Sequence, residues 1–206
     1  MKSATTPEPK LSAAQRKRLD GFNRTREQLL EQGYLGKSLT VSAKKMNKMA
    51  VVIGLPLGLI MYGVYSATFR SSLTASLGLL LILITGAALH ELIHGIVWVS
   101  FCRQGWKSIA FGIDRATGSP YCYCSEGLSY WQYVLGSIMP TLILGPVCFL
   151  LGWAAGSPLL IASAIFQVFG GGGDMYILWL IRDEKRAVLV DHPYLMGCVA
   201  FEKSAD

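Results

Sequence analysis

Charge is scarce in this chain. Lysine, arginine, aspartate and glutamate make up 16% of the 206 residues, hydrophobic residues 52%, and the mean hydropathy is +0.41. A soluble globular domain carries about a quarter charged residues, so composition argues against that class and for a membrane protein. Histidine is scarcer still. Of the chain's three histidines, two fall with a glutamate inside one apolar stretch, LITGAALHELIHGIVWVSF, residues 83–101.

Cysteine is too sparse and too irregular for a disulfide scaffold or a zinc ribbon. The five cysteines, at 102, 122, 124, 148 and 198, form an odd set whose single cluster is the CxC of Cys122 and Cys124. They are expected as free thiols in a reducing compartment. No cleavable leader is expected either, since 48 polar residues precede the first apolar run. Internal repeats and nucleic-acid motifs are missing, and the basic N-terminal segment lacks interleaved aromatics, so nucleic acid is not an expected partner.

Long apolar runs are what the chain has instead. Four occur, at about 49–68, 73–101, 132–155 and 157–181, each long enough for a helix that spans the roughly 30 Å hydrocarbon core. Gly156-Ser157-Pro158 separates the last two and suits a hairpin connection. The formal charge of +6 is uneven: residues 1–48 hold 11 of the 19 basic residues, the 102–131 loop three, and the segment after Ile181 four, leaving Arg70 alone on the other connections. The positive-inside rule then places both termini and the central loop in the cytoplasm.

The N-terminal segment reads as a helix from near Ser12, with Leu19, Phe22, Leu29 and Leu30 as an intermittent apolar stripe. A solvated tail or a helix lying on anionic headgroups would both fit. In the central loop Ile109, Phe111 and Ile113 alternate, as do Tyr121 and Tyr123, around the turn-rich DRATGSP, which predicts a β-hairpin. The expected fold is therefore an all-α polytopic membrane protein of about four transmembrane helices, with a short cytoplasmic hairpin between the second and third. Its segments are 1–48, 49–181 and 182–206.

HELIH, residues 90–94, is an HExxH motif. On a helix His90 and His94 lie one turn apart on one face and can reach one Zn²⁺, while Glu91 flanks it as general base and then general acid. Interhelical hydrogen bonding is the bland alternative, but ionisable groups inside a span are expensive and usually functional. Haem is less natural, because histidines at i and i+4 cannot bind opposite sides of one iron.

HELIHG within a hydrophobic helix is followed by YCYC and EGLS, a proline in the next span, GD in the last and DHP near the C-terminus. In that order they resemble the small bacterial membrane proteins of the "putative zincin peptidase" family, which in turn looks like the site-2 intramembrane proteases. The resemblance covers most of the chain after about Leu30.

A hydrolytic zinc needs a third protein ligand and an open position. Asp174, Glu126, Asp191 and His192 are the candidates. Helical rise puts His90 roughly 16 Å, His94 roughly 10 Å and Asp174 roughly 12 Å from the cytoplasmic ends of their spans, whereas the other three would have to fold back. The site-2 likeness implies the same assignment, since an aspartate of the C-terminal catalytic helix is a ligand there and Asp174 matches it. Those enzymes carry an asparagine upstream of that aspartate; here Gln167 is the nearest amide and the candidate for a substrate carbonyl. The run Gly170–Gly173 before Asp174 invites local unwinding, with close helix packing as the alternative. Phe111, Tyr121 and Tyr123 are candidate substrate contacts through strand addition to the hairpin edge.

These observations lead to a zinc-dependent membrane metalloprotease acting on a membrane-associated protein or peptide. The rival readings are a noncatalytic metal-binding membrane protein and a small cation transporter.

Overall fold

A computed structural model describes residues 12–69, 77–114 and 118–203. Arg70 and the first residues of the expected second run, like Arg115 to Thr117 of the hairpin turn, lie outside them. The elements are α1 (Ala13–Glu31), β1 (Tyr34–Val41), α2 (Ala43–Phe69), α3 (Leu77–Val99), β2 (Ile109–Ile113), β3 (Pro120–Cys124), β4 (Leu128–Ser129), α4 (Tyr130–Ala154), α5 (Pro158–Ile181), β5 (Val188–Asp191) and β6 (Met196–Lys203). A short 3₁₀ turn, Gly105–Ser108, leads into β2.

Four helices, α2 to α5, are long and apolar enough to cross a membrane. Their outward faces carry large exposed apolar side chains such as Leu59, Ile60, Ile84 and Leu150, a surface that water would penalise. The expectation of an all-α protein needs correction, because six strands accompany the helices. β2 and β3 pair as the anticipated antiparallel hairpin, with Phe111 opposite Cys122. The other four form one antiparallel sheet in the order β1-β6-β5-β4. Its long pairing joins the two ends of the chain, Tyr34 opposite Lys203 and Val41 opposite Met196. The segment after Ile181 is thus a folded layer. Leu189, Val190, Cys198, Ala200 and Phe201 are buried in it, and burying that apolar surface offsets the entropy of ordering the chain.

α1 docks on this layer. Ser12 caps it in a reciprocal box with Gln15, so the helix starts where the sequence indicated. Phe22 and Leu29 pack with Val190, Val199 and Phe201. Phe22 and Leu29 of the stripe thus face protein, while Leu19 is half-buried and Leu30 exposed.

α5 runs unbroken through Gly170–Gly173, so the expected unwinding is corrected. The reason is contact. A Cβ on Gly171 would strike the Thr141 hydroxyl of α4, and one on Gly172 would lie 2.7 Å from the Ala50 carbonyl oxygen of α2. Gly54 of α2 answers in kind, since its Cβ would lie 2.7 Å from the Phe169 backbone. Close approach of three helices offsets the helix-weakening cost of glycine, about 1 kcal/mol per residue.

Candidate metal centre

His90 and His94 sit on consecutive turns of α3, both buried. Their ring nitrogens divide into two sets. On the outer side, His90 Nδ1 is 3.0 Å from Gln167 Oε1 of α5, and His94 Nδ1 is 2.8 Å from the Gly136 carbonyl oxygen of α4. Both partners are oxygens, to which each Nδ1 donates, and each Nε2 is then the nitrogen that a metal would take. On the inner side, both Nε2 atoms face one carboxylate oxygen, Asp174 Oδ2, at 3.1 Å from His90 and 3.6 Å from His94.

The Gly136 carbonyl is available for a reason written in the sequence. In α4 its helical donor would be the N–H of residue 140, and residue 140 is proline. The missing N–H frees the carbonyl and His94 occupies it. Gly136 also lets α3 approach, because a Cβ there would collide with the Trp98 indole. Trp98 in turn stacks on His94, with ring centroids 5.3 Å apart and an interplanar angle of 18°. The proline of this span was noted in the sequence, but its consequence depends on which neighbour faces the freed carbonyl.

Glu91 lies beside the pair. Ligand atoms of His90, Glu91 and His94 all fall within 4.8 Å of one another. The Cys122 backbone N–H of β3 turns its partial positive charge toward the Glu91 carboxylate. Ligands about 2.0–2.2 Å from a tetrahedral zinc stand roughly 3.3 Å apart, and the two Nε2–Oδ2 separations bracket that value. Two imidazoles and one carboxylate meeting at a point is thus a donor set and spacing that fit Zn²⁺, with Glu91 adjacent to the open side.

The other candidate ligands are committed elsewhere. Glu126 accepts from the backbone N–H groups of Arg103 and Gln104, each at 2.9 Å, and from the Ser108 hydroxyl. Burial raises its pKa, but these donors outweigh it and hold the carboxyl below its usual range. His192 Nδ1 accepts from the Leu195 N–H at 3.0 Å. Asp191 does fold back, through β5, to the wall of the central cavity, where its oxygens accept from the Cys124 N–H at 2.8 Å and the Tyr133 hydroxyl at 2.7 Å. It clamps β3 to α4 and so positions the strand that faces Glu91.

The cavity measures about 540 Å³ and is lined by His90, Glu91, His94 and Asp174 together with Tyr121 and Tyr123 of β3. Phe111 packs elsewhere, beside Gly95 and Trp106, and is exposed. Gln167, expected near substrate, lines this cavity, and its buried side chain also holds His90. Asp191, a candidate ligand in the sequence, and Arg18 of α1, which the sequence did not single out, also line the cavity. Cys124 lies 3.4 Å from Cys102, sulfur to sulfur, and all five cysteines are free.

An HExxH helix that brings His90, Glu91 and His94 together, with Asp174 of a second helix facing both histidines, is a group that could hold a metal ion. The chain belongs to the family described as "putative zincin peptidase", which it matches over residues 80–189, more than half its length. That family points to a zinc-dependent peptidase. No curated protein and no solved structure matches the chain.

Proposed function

We propose that this protein is a zinc metallopeptidase embedded in a bacterial cytoplasmic membrane, with both termini in the cytoplasm, cutting a membrane-associated protein or peptide. One observation carries the reading: both Nε2 atoms converge on one Asp174 oxygen while both Nδ1 atoms are engaged by acceptors. A pair of histidines bridging helices for stability alone would not need both Nε2 atoms to converge on one carboxylate oxygen.

His90, His94 and Asp174 hold the metal, and bound Zn²⁺ supplies a Lewis acid that acidifies water and polarises the scissile carbonyl. Glu91 takes a proton from the water and returns it to the leaving amine. Gln167 and the Gly136 carbonyl fix the imidazoles, so that little reorganisation accompanies turnover. Strand β3, paired with β2 in its sheet, lines the cavity beside Glu91, with its Cys122 N–H turned to Glu91 and its Cys124 N–H held by Asp191, and an extended substrate segment would lie along it. Unwinding a substrate helix along that strand would expose the peptide bond to the metal.

The deciding experiment pairs metal analysis with peptide cleavage by the purified protein and by Glu91→Gln. The variant keeps the shape of the side chain and removes the base. It should retain zinc and lose turnover by at least about a hundredfold. Equal cleavage by both would sink the role given to Glu91, and zinc binding without any cleavage by the wild type would favour a noncatalytic metal protein.

A further inference from the structure

We propose that Arg18 is a recognition residue for a carboxylate on the substrate, so that the enzyme selects peptides with an acidic group displaced from the scissile bond toward α1. The proposal rests on the peptidase reading above.

Arg18 is held in place with unusual care for a residue of a basic N-terminal helix. Its carbonyl oxygen accepts from the Tyr123 hydroxyl at 3.1 Å, and about two turns on the Thr25 hydroxyl donates to the Ser125 carbonyl at 2.8 Å. Its guanidinium carbon lies 4.3 Å from the Tyr121 ring centre and 5.6 Å from that of Tyr123. Backbone and side chain are thus both fixed on β3, the strand that faces Glu91.

Stacking engages the face of the guanidinium and leaves its edge, where the N–H groups lie, for another partner. That edge is underused. Arg18 Nε is buried and has no hydrogen-bond acceptor. Among the described residues no carboxylate forms an ion pair with Arg18. Asp191 is near enough to feel its field, but both Asp191 oxygens already accept from Cys124 and Tyr133. A buried donor without an acceptor is costly, and an anion supplied from outside would satisfy it.

The charge map of the cavity says where such an anion would go. Glu91 and Asp174 surround the metal position, and an incoming carboxylate is repelled there unless it binds the metal itself. Arg18 is the cation on the α1 side of the same cavity, whose lining also holds Asp114 and Asp191. A peptide lying along β3 would therefore present its amide to the zinc site and its acid to Arg18. The acid can come from an aspartate or glutamate side chain or from a terminal carboxylate. Both offer the planar acceptor that an arginine fork matches.

The test is capture. Zinc-loaded Glu91→Gln protein in detergent micelles is exposed to a randomised decapeptide pool, prepared once with free and once with amidated C-termini, and the retained peptides are sequenced by mass spectrometry. Side-chain acids should be enriched at least about threefold in both pools, or free-ended peptides retained over amidated ones if the terminus is the source. Adding Arg18→Glu should abolish the enrichment and Arg18→Lys should keep part of it. Arg18→Met, which preserves the apolar stem on Tyr121, should abolish it too while zinc content shows the fold intact. Enrichment that survives Arg18→Met, or no acidic enrichment in either pool, overturns the proposal. Cleavage of the same pool by wild type is scored separately. Acid capture without cleavage would leave the carboxylate site standing and remove the peptidase reading.

Discussion

At the scale of single residues, the site depends on which groups keep their protons and which oxygens are already taken. Asp174 brings one carboxylate oxygen to both Nε2 atoms, whereas His192 accepts from its own turn. Asp174→Ala should therefore lower zinc affinity and abolish activity, with Asp174→Asn nearly as damaging through loss of charge. His192→Ala should leave zinc bound. Zinc titration by competition with a chelator checks all three, and the reverse pattern would remove Asp174 from the ligand set.

Asp191 makes a second residue-scale prediction. Burial raises its carboxyl to about 6, although hydrogen bonds from Cys124 and Tyr133 pull the other way. The folded state thus binds this proton more tightly than an unfolded chain, in which an aspartate titrates near 3.9. The sign follows: stability conferred at this position is greatest at low pH and is lost as pH rises through about 6. Relative to Asp191→Asn, the wild type should gain about 2 kcal/mol between pH 7 and pH 4.5. Thermal unfolding of both proteins at the two pH values measures it, and a constant difference would show that Asp191 titrates like an exposed aspartate.

At the scale of elements, the sequence gives the apolar spans clearly and the sheet hardly at all. Runs read at 132–155 and 157–181 became Tyr130–Ala154 and Pro158–Ile181, because hydrophobic length is a local property. The capped start of α1 and the β2–β3 hairpin are local too. Strand β6 is not legible in this way. It pairs with a segment some 160 residues upstream, and MGCVAFEK on its own shows no alternation, since Cys198 to Phe201 are buried on both faces. HExxH and Asp174 as its candidate partner could be read directly, while Gln167 and Gly136 needed the packing of α3 against α5 and α4. The glycine run misled for a related reason: propensity signals a weak helix, and only the neighbours reveal why glycine is required. A paired substitution tests that account. Gly172→Ala, aimed at the Ala50 carbonyl, should destabilise by about 1–3 kcal/mol. Gly170→Ala, with nothing within 4 Å, should stabilise by about 1 kcal/mol. An unwound segment would respond alike at both positions.

At the scale of the whole molecule, the pairing of β1 with β6 requires both ends of the described chain to lie on one side of any membrane the helices cross. Positive charge predicts that this side is the cytoplasm. Arg26→Cys and Lys203→Cys, both at exposed positions, should react with an impermeant maleimide only after cells are opened. Labelling from outside intact cells, above the wild-type background, would invert the orientation while leaving the two positions on a common face.

That same pairing sets an order of events during biosynthesis. Strand β1 leaves the ribosome before any of the four apolar helices, yet its partner is completed only when residue 203 has been made. Until then β5 lacks one of its two neighbours, and the sheet that seats α1 cannot close. Arg18 and the β3 clamp at Asp191 would be the last parts of the cavity wall to settle. A nascent chain could thus have its histidine helix inserted while the cavity wall around it stays unfinished, so a peptidase of this design would be born inactive and acquire its competence in a single closing step.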